Sequence, residues 1–255
     1  MIKSTYVRGV LTAFFLGALA FNVGAQREQW LDYHTSNEPR GYIWIDLSTN
    51  PPPNVALPKL RQSAHFGQWK NALDKGRWFV LDRASKSGLL DRIIFDANGN
   101  GRLDDDSPIN CKRREDYSTY FPPLKLVFKG EDGPTAYHLI VQCYQYQEER
   151  IRLLAGSGGW YEGKVDLAGK KRRVQIFDST VNGAYNDLGS KSSECDRLVF
   201  PGDKETYRYL GRYLELDGQL IRLEVARDGA FIKAKKAEGV EFGPVRVPET
   251  ISEFE

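Results

Sequence analysis

Asp96, Asn98 and Asn100 stand at alternate positions of a short loop, with Gly101 directly behind them. The arrangement returns later in the chain as Asp178, Thr180, Asn182 and Gly183. Oxygen-bearing side chains at the first, third and fifth positions, followed by a residue that tolerates positive φ, let a short loop wrap a hard cation. Calcium takes about six to eight oxygens at about 2.3–2.6 Å, from carboxylates, amide and backbone carbonyls and water. In the first loop the expected ligands are Asp96, Asn98, Asn100, the carbonyl of Arg102 and Asp104, with Leu103 as an apolar anchor and Asp105 closing or orienting the shell. The second loop offers Asp178, Thr180, Asn182, the carbonyl of Ala184, Asn186 and Asp187, a set with fewer carboxylates. Calcium is therefore expected first at the first loop, and the second reads as a degenerate copy. Asp and Asn are also good turn formers, because they bond their own backbone and tolerate left-handed conformations. A metal-free turn is the alternative for each loop.

The elements that must carry these loops read as strands. Runs rich in β-branched and aromatic residues occur at 42–45, 78–81, 92–95, 124–128, 137–146, 173–177, 197–200, 207–216 and 220–226. Asp132-Gly133, Asp217-Gly218 and Asp228-Gly229 separate some of them as turns, and Asp217-Gly218 sits in a clear hairpin. Only 57–73 reads as room for one short helix, after an extended Pro51-Pro52-Pro53 linker. Gly156-Ser157-Gly158-Gly159 reads as a flexible turn. The expected class is all-β with at most one short helix.

A longer internal likeness frames the loops. Without a gap, Gly76, Trp78, Ile94, Phe95, Asp96, Asn100, Gly101 and Asp105 match Gly158, Trp160, Ile176, Phe177, Asp178, Asn182, Gly183 and Asp187. This predicts an internal duplication: two related β units over 76–157 and 158–255, sharing a core or packed face to face as a β-sandwich. An N-terminal arm over 26–75 precedes them.

Over about eleven residues each, the loops resemble the calcium loops of EF-hands and of dockerin modules. Two departures stand out: Ser107 and Gly189 occupy the twelfth position where an EF-hand has a carboxylate, and a strand rather than a helix leads in. Asp105 and Asp187 are the candidates for the missing carboxylate. The layout also resembles a family of largely uncharacterised secreted bacterial β-rich proteins with paired Asp-x-Asn-x-Asn-Gly loops beside an Asp-Arg-apolar strand. Asp91-Arg92-Ile93-Ile94-Phe95 and Asp196-Arg197-Leu198-Val199-Phe200 fit that description. The resemblance implies strand-borne calcium loops and brings no activity with it.

The ends and the composition bound the rest. Lys3, Arg8, the apolar run 10–21 and the small residues Val23-Gly24-Ala25 read as a signal peptide over 1–25, cleaved after Ala25. The apolar run is too short for a membrane span, and no Cys near the cleavage point suggests a lipid anchor. The expected location is periplasmic or extracellular. Cleavage removes two of the 36 basic residues and none of the 34 acidic ones, leaving 34 of each. That balance argues against a nucleic-acid partner, and the Lys170–Arg173 run reads as an exposed strand or turn. Cys111, Cys143 and Cys195 lie in the exported part, where one bridge involving Cys111 is expected, its partner open. No nucleophile elbow, zincin motif or phosphate loop is present, and His34, His65 and His138 form no motif. The leading reading is a secreted calcium-binding structural or interaction module whose metal rigidifies the fold. The alternative is a carbohydrate or cell-surface binding module using exposed aromatics such as Tyr144 with Tyr146 and Tyr207 with Tyr209. The third is a hydrolase with no visible site.

Overall fold

The computed structural model describes residues 27–238, apart from 86, 131–132, 147–149 and 203–206. The leader read over 1–25 lies outside the described residues, as does Asp132 of one expected turn. Four strands come from the arm: β1 (Gln29–Trp30), β2 (Asp32–Thr35), β3 (Tyr42–Asp46) and β4 (Gln62–Trp69). Then follow β5 (Arg77–Arg83), β6 (Arg92–Phe95), β7 (Ile109–Asn110), β8 (Arg113–Glu115), β9 (Ser118–Tyr120), β10 (Leu124–Gly130), β11 (Gly133–Gln145) and β12 (Ile151–Ser157). The second half supplies β13 (Gly159–Leu167), β14 (Lys170–Phe177), β15 (Arg197–Val199), β16 (Tyr207–Tyr209), β17 (Tyr213–Leu216), β18 (Gln219–Val225) and β19 (Phe231–Lys236). The fold is all-β. A single 3-10 turn at Ser192–Glu194 is the one helical element among the described residues.

The strands form four antiparallel sheets: β4-β5-β6-β7, β3-β12-β11-β9-β8 with β10 beside β11, β2-β13-β14-β15-β16, and β1-β19-β18-β17. The arm gives one edge strand to each of them. Both acidic loops hang from the same local sequence of pairings: an arm strand, a hairpin, the loop, then a strand returning beside the hairpin. The loops leave β6 and β14 and re-enter at β7 and β15. The two hairpins differ in register by one residue, since Phe95 faces Phe79 whereas Phe177 faces Trp160.

Period-two patterning sets which side of each strand is buried. In β18, Ile221, Leu223 and Val225 point inward while Arg222 and Glu224 point out. Asp217 and Gly218 both take positive φ, 52° and 72°, which the tight hairpin turn into β18 requires. One continuous core draws on all four sheets, through Phe79 and Phe95, Leu139 and Leu153, Val174 and Ile176, and Leu223 and Ile232. Burying each such side chain contributes roughly 1.5–3 kcal/mol. The other face of the β4–β7 sheet is buried too: its Phe66, Val80 and Ile94 pack with Leu103 against Val55, Leu57 and Leu60.

Several expectations need correction. The stretch read as a helix contains β4, which pairs with β5 through Phe66–Val80 and Trp69–Arg77. Burial of Phe66 and Trp69 against that sheet overrides local helix propensity. Gly156–Gly159 is a buried junction between β12 and β13, where a Cβ on Gly159 would lie 1.9 Å from the Tyr33 hydroxyl oxygen. The run 207–216 is broken, with β16 and β17 in different sheets. No disulfide forms: Cys111, Cys143 and Cys195 are all free. Cys143 faces the core from β11, and burial pushes its thiol up to about 12.

Candidate metal centre

The first loop is organised around Asp96, which is almost fully buried at the end of β6. Its Oδ1 accepts the amides of Gly99 (2.7 Å) and Asn100 (3.1 Å), and its Oδ2 that of Gly101 (3.0 Å). Asn98 Oδ1 takes the amide of Asn100 at 2.9 Å, and Asn100 Oδ1 that of Arg102 at 2.8 Å. Gly101 has the positive φ its position demands, 79°. Asp105 comes back over the loop: Asn100 Nδ2 donates to its Oδ2 at 2.7 Å and Asn98 Nδ2 at 3.5 Å. Leu103 is fully buried and its amide bonds the Ala56 carbonyl, which pins the loop to the arm. Asp104 does not join the group, because Arg102 holds it in a two-pronged ion pair at 3.0 and 2.6 Å.

The second loop repeats this frame. Asp178 is wholly buried; its Oδ1 accepts the Asn182 amide (3.3 Å) and its Oδ2 the Gly183 amide (2.8 Å). Asn182 Oδ1 takes the Ala184 amide at 2.8 Å. Asp187 again folds back, accepting from Thr180 Oγ1 and Asn182 Nδ2, each at 2.6 Å. Gly183 has φ 87°. At the fourth position Gly99 is replaced by Val181, a β-branched residue held at φ 54°. Its carbonyl accepts Trp69 Nε1 at 2.7 Å, and the Ala72 amide bonds the Asn182 carbonyl, so the arm clamps this loop as well. Asn186 lies away from these bonds, in the wall of a surface cleft beside Leu210 and Tyr213.

Three residues outside the predicted ligand sets belong to the sites. Asp106 Oδ1 accepts the Ala97 amide at 3.2 Å, while its buried Oδ2 has no partner. Burial, with Asp96 and Asp105 nearby, pushes Asp106 up to about 6. Asp196, at the mouth of β15, does the same for the second loop, accepting the amides of Ser179 and Asp187, both at 2.9 Å. Burial holds Asp178 and Asp196 above the usual carboxylate range, and the Asp178 charge raises Asp196 further. Tyr137 donates its hydroxyl to Asp178 Oδ2 at 2.8 Å from within the core. The signals were present in the acid run ending at Asp106 and in the Asp-Arg-apolar strand opening at Asp196. The other Asp-Arg-apolar run leads into β6, ahead of the first loop, and its Asp91 pairs with Arg114.

The donor sets consist of oxygen alone, which suits calcium or magnesium and not the softer metals. Among the described residues no three His, Cys, Asp or Glu side chains converge into a cage of their own. A bound cation would draw on carboxylates, side-chain amide or hydroxyl oxygens and backbone carbonyls together. That mixture fits calcium, which accepts irregular shells, better than magnesium, which demands a compact octahedron. One buried cation sits beneath the first loop: Arg77, only 2% exposed, donates to the carbonyls of Asp96 (3.2 Å) and Ala97 (2.5 Å) and pairs with Asp74 at 2.7 Å. It fixes the loop entry.

The histidines do other work. His138 meets the Tyr33 hydroxyl at 3.2 Å, His34 stacks on Trp160, and His65 contacts the Ser63 carbonyl. The basic run 170–173 lies on β14, where Lys170 and Arg172 bind Asp217. No helix of the described residues is long and apolar enough to cross a membrane. No protein-family model, no curated protein and no solved structure matches the chain.

Proposed function

We propose that the chain is an exported, calcium-stabilised β protein in which the two acidic loops take the metal and hold the return strands in place. One observation carries this reading: in both loops a downstream carboxylate, Asp105 or Asp187, folds back onto the side chains at positions three and five. It puts a carboxylate beside positions three and five, where a cation shell lacking a twelfth-position acid needs one. When bound, the metal supplies positive charge where buried carboxylates otherwise repel one another. The chain's own residues do the rest: Gly101 and Gly183 permit the bend, and Leu103 and Tyr185 root the loops in apolar surroundings. The duplication read from the sequence belongs to this proposal.

The test is the melting temperature of 26–255 in EGTA and in millimolar calcium. A ligand held only by the native state at ten times its Kd adds about 1.4 kcal/mol, a rise of a few degrees for a chain of this size. A rise with calcium and none with magnesium is expected. An unchanged melting temperature in calcium removes the metal reading.

A second reading, carbohydrate or cell-surface binding, is supported by the exposed rings. Tyr42, Trp44, Tyr117, Tyr146, Tyr207, Tyr209 and Tyr213 are all well exposed. Tyr and Trp combine a flat apolar face with a hydrogen-bonding tip, which suits polyols better than aliphatic surface does.

A further inference from the structure

The β3-β12-β11-β9-β8 sheet turns one face to the core and the other outward, and the outward face has a specific composition. Its registers set two adjacent rows. Trp44, Leu154, Gln142, Tyr120 and Arg113 lie side by side across five strands. Asp46, Arg152, Tyr144, Ser118 and Glu115 form the next row. At about 4.8 Å per strand the rows span about 19 Å. Rings adjoin along this face: Tyr42–Trp44 at 6.4 Å, Trp44–Tyr144 at 5.4 Å, Tyr144–Tyr146 at 5.9 Å and Tyr117–Tyr146 at 4.9 Å between centroids. The last two pairs are inclined by only 16° and 28°, so Tyr146 runs close to parallel with each neighbour, while Tyr117 and Tyr144 are inclined to one another by 36°. Tyr42, Tyr117 and Tyr146 keep about half or more of their surface open. Beside them lies a hollow of about 500 Å³ lined in part by Glu38, Lys112, Tyr120 and Gln142. Gln142 joins the two, its Oε1 accepting the Tyr144 hydroxyl at 2.9 Å.

Within the two rows the charges pair. Arg152 pairs with Asp46 at 3.6 Å and Arg113 with Glu115 at 2.9 Å, while Lys125 and Lys129 stand apart on β10. A polyanion such as nucleic acid or an acidic glycan would find no unpaired cation in these rows. A lipid or an aliphatic protein knob would find few aliphatic partners in these rows, since their exposed large apolar groups carry a hydroxyl or an indole N–H and the aliphatic Val127 stands apart on β10. An uncharged chain of polyols matches both features, with its C–H faces on the rings and its hydroxyls on Gln142, Tyr120 and the paired charges. Tyr207 and Tyr209 make a poorer platform, because they meet at 79° and share no plane.

We infer that this outward face binds a neutral polysaccharide, with Tyr144, Tyr146 and Tyr117 as the stacking set and Gln142 with Tyr120 as the polar contacts beside it. The inference rests on the carbohydrate reading above and narrows it to one surface and one ligand class.

The test is affinity electrophoresis of 26–255 in native gels containing hydroxyethylcellulose, galactomannan or soluble starch, with alginate and heparin gels as polyanions. Retardation in at least one neutral gel is expected. Tyr144→Ala should weaken it about tenfold, the loss of one stacking ring, and Tyr146→Ala, which removes a more exposed ring, covers the case in which the first variant misfolds. Tyr207→Ala should bind as the parent does. No retardation in any neutral gel overturns the inference. Retention unchanged in both Tyr144→Ala and Tyr146→Ala but lost in Tyr207→Ala overturns the surface while leaving the carbohydrate reading standing. Ring-dependent retention in the polyanion gels alone overturns the neutral class. None of these outcomes bears on the melting test for calcium.

Discussion

At the scale of single residues, the two loops differ in how their carboxylates are supported. Asp105 is exposed and held by amide side chains, whereas Asp178 and Asp196 are wholly buried. Asp105→Ala should therefore leave the melting temperature in EGTA within the ordinary range of a surface change, about 0.5 kcal/mol, while shrinking the calcium-induced rise. A full-sized rise in that variant would take Asp105 out of the shell. Asp178 and Asp196 set a pH dependence. Both keep protons in the folded state that an unfolded carboxyl, at about 3.9, has already released. The native state thus binds more protons, and stability in EGTA should fall as pH rises from about 4 through the raised folded values. Asp196→Asn should flatten that slope; a variant that melts with the parent's pH profile would place its origin elsewhere. Much of this scale was legible. Spacing singles out the loops, their glycines, and Asp105 with Asp187 as candidate carboxylates, but it also puts Asp104 and Asn186 in the shells, whereas Arg102 holds Asp104 and Asn186 lines a surface cleft. The parts played by Asp196, Tyr137 and Trp69 do not follow from spacing, because tertiary packing brings them to the loops from other strands.

Among the elements, reading from sequence succeeded where β-branched and aromatic residues run together. β5, β6, β11, β14 and β18 lie within or close to their expected runs. It failed where a strand owes its existence to its neighbours. β4 is extended because Phe66 and Trp69 seat on β5, and β12 and β13 meet at a glycine run that reads as loose on paper. That junction is tight. Gly159→Ala would drive a methyl into the Tyr33 hydroxyl, and overpacking of this kind costs about 1–3 kcal/mol. A denaturant midpoint equal to the parent's would show that Tyr33 moves aside freely. The cysteines failed for a related reason: Cys143 faces the core from β11 and Cys195 is buried in the return from the second loop, so export chemistry alone gave no geometry for a bridge.

For the whole molecule, the arm decides cohesion. Residues read as a leading segment instead supply an edge strand to every sheet, and no periodicity in 27–69 discloses the partners. Removing residues 27–35 would uncover the flanks of β19 and β13. Bare strand edges template association, so the shortened chain should sediment as larger species and melt earlier than the parent. A monomer with the parental melting temperature would make β1 and β2 ornamental. The same lacing has a consequence in time. Translation delivers β1 first, yet Trp30 waits for Phe231 to be made, and Ile45 waits for Leu153. Only the β4–β7 sheet can close on a half-finished polypeptide. A nascent chain of this kind stays threadable until nearly all of it exists, a delay that suits the export proposed for it and would make its folding slow once released.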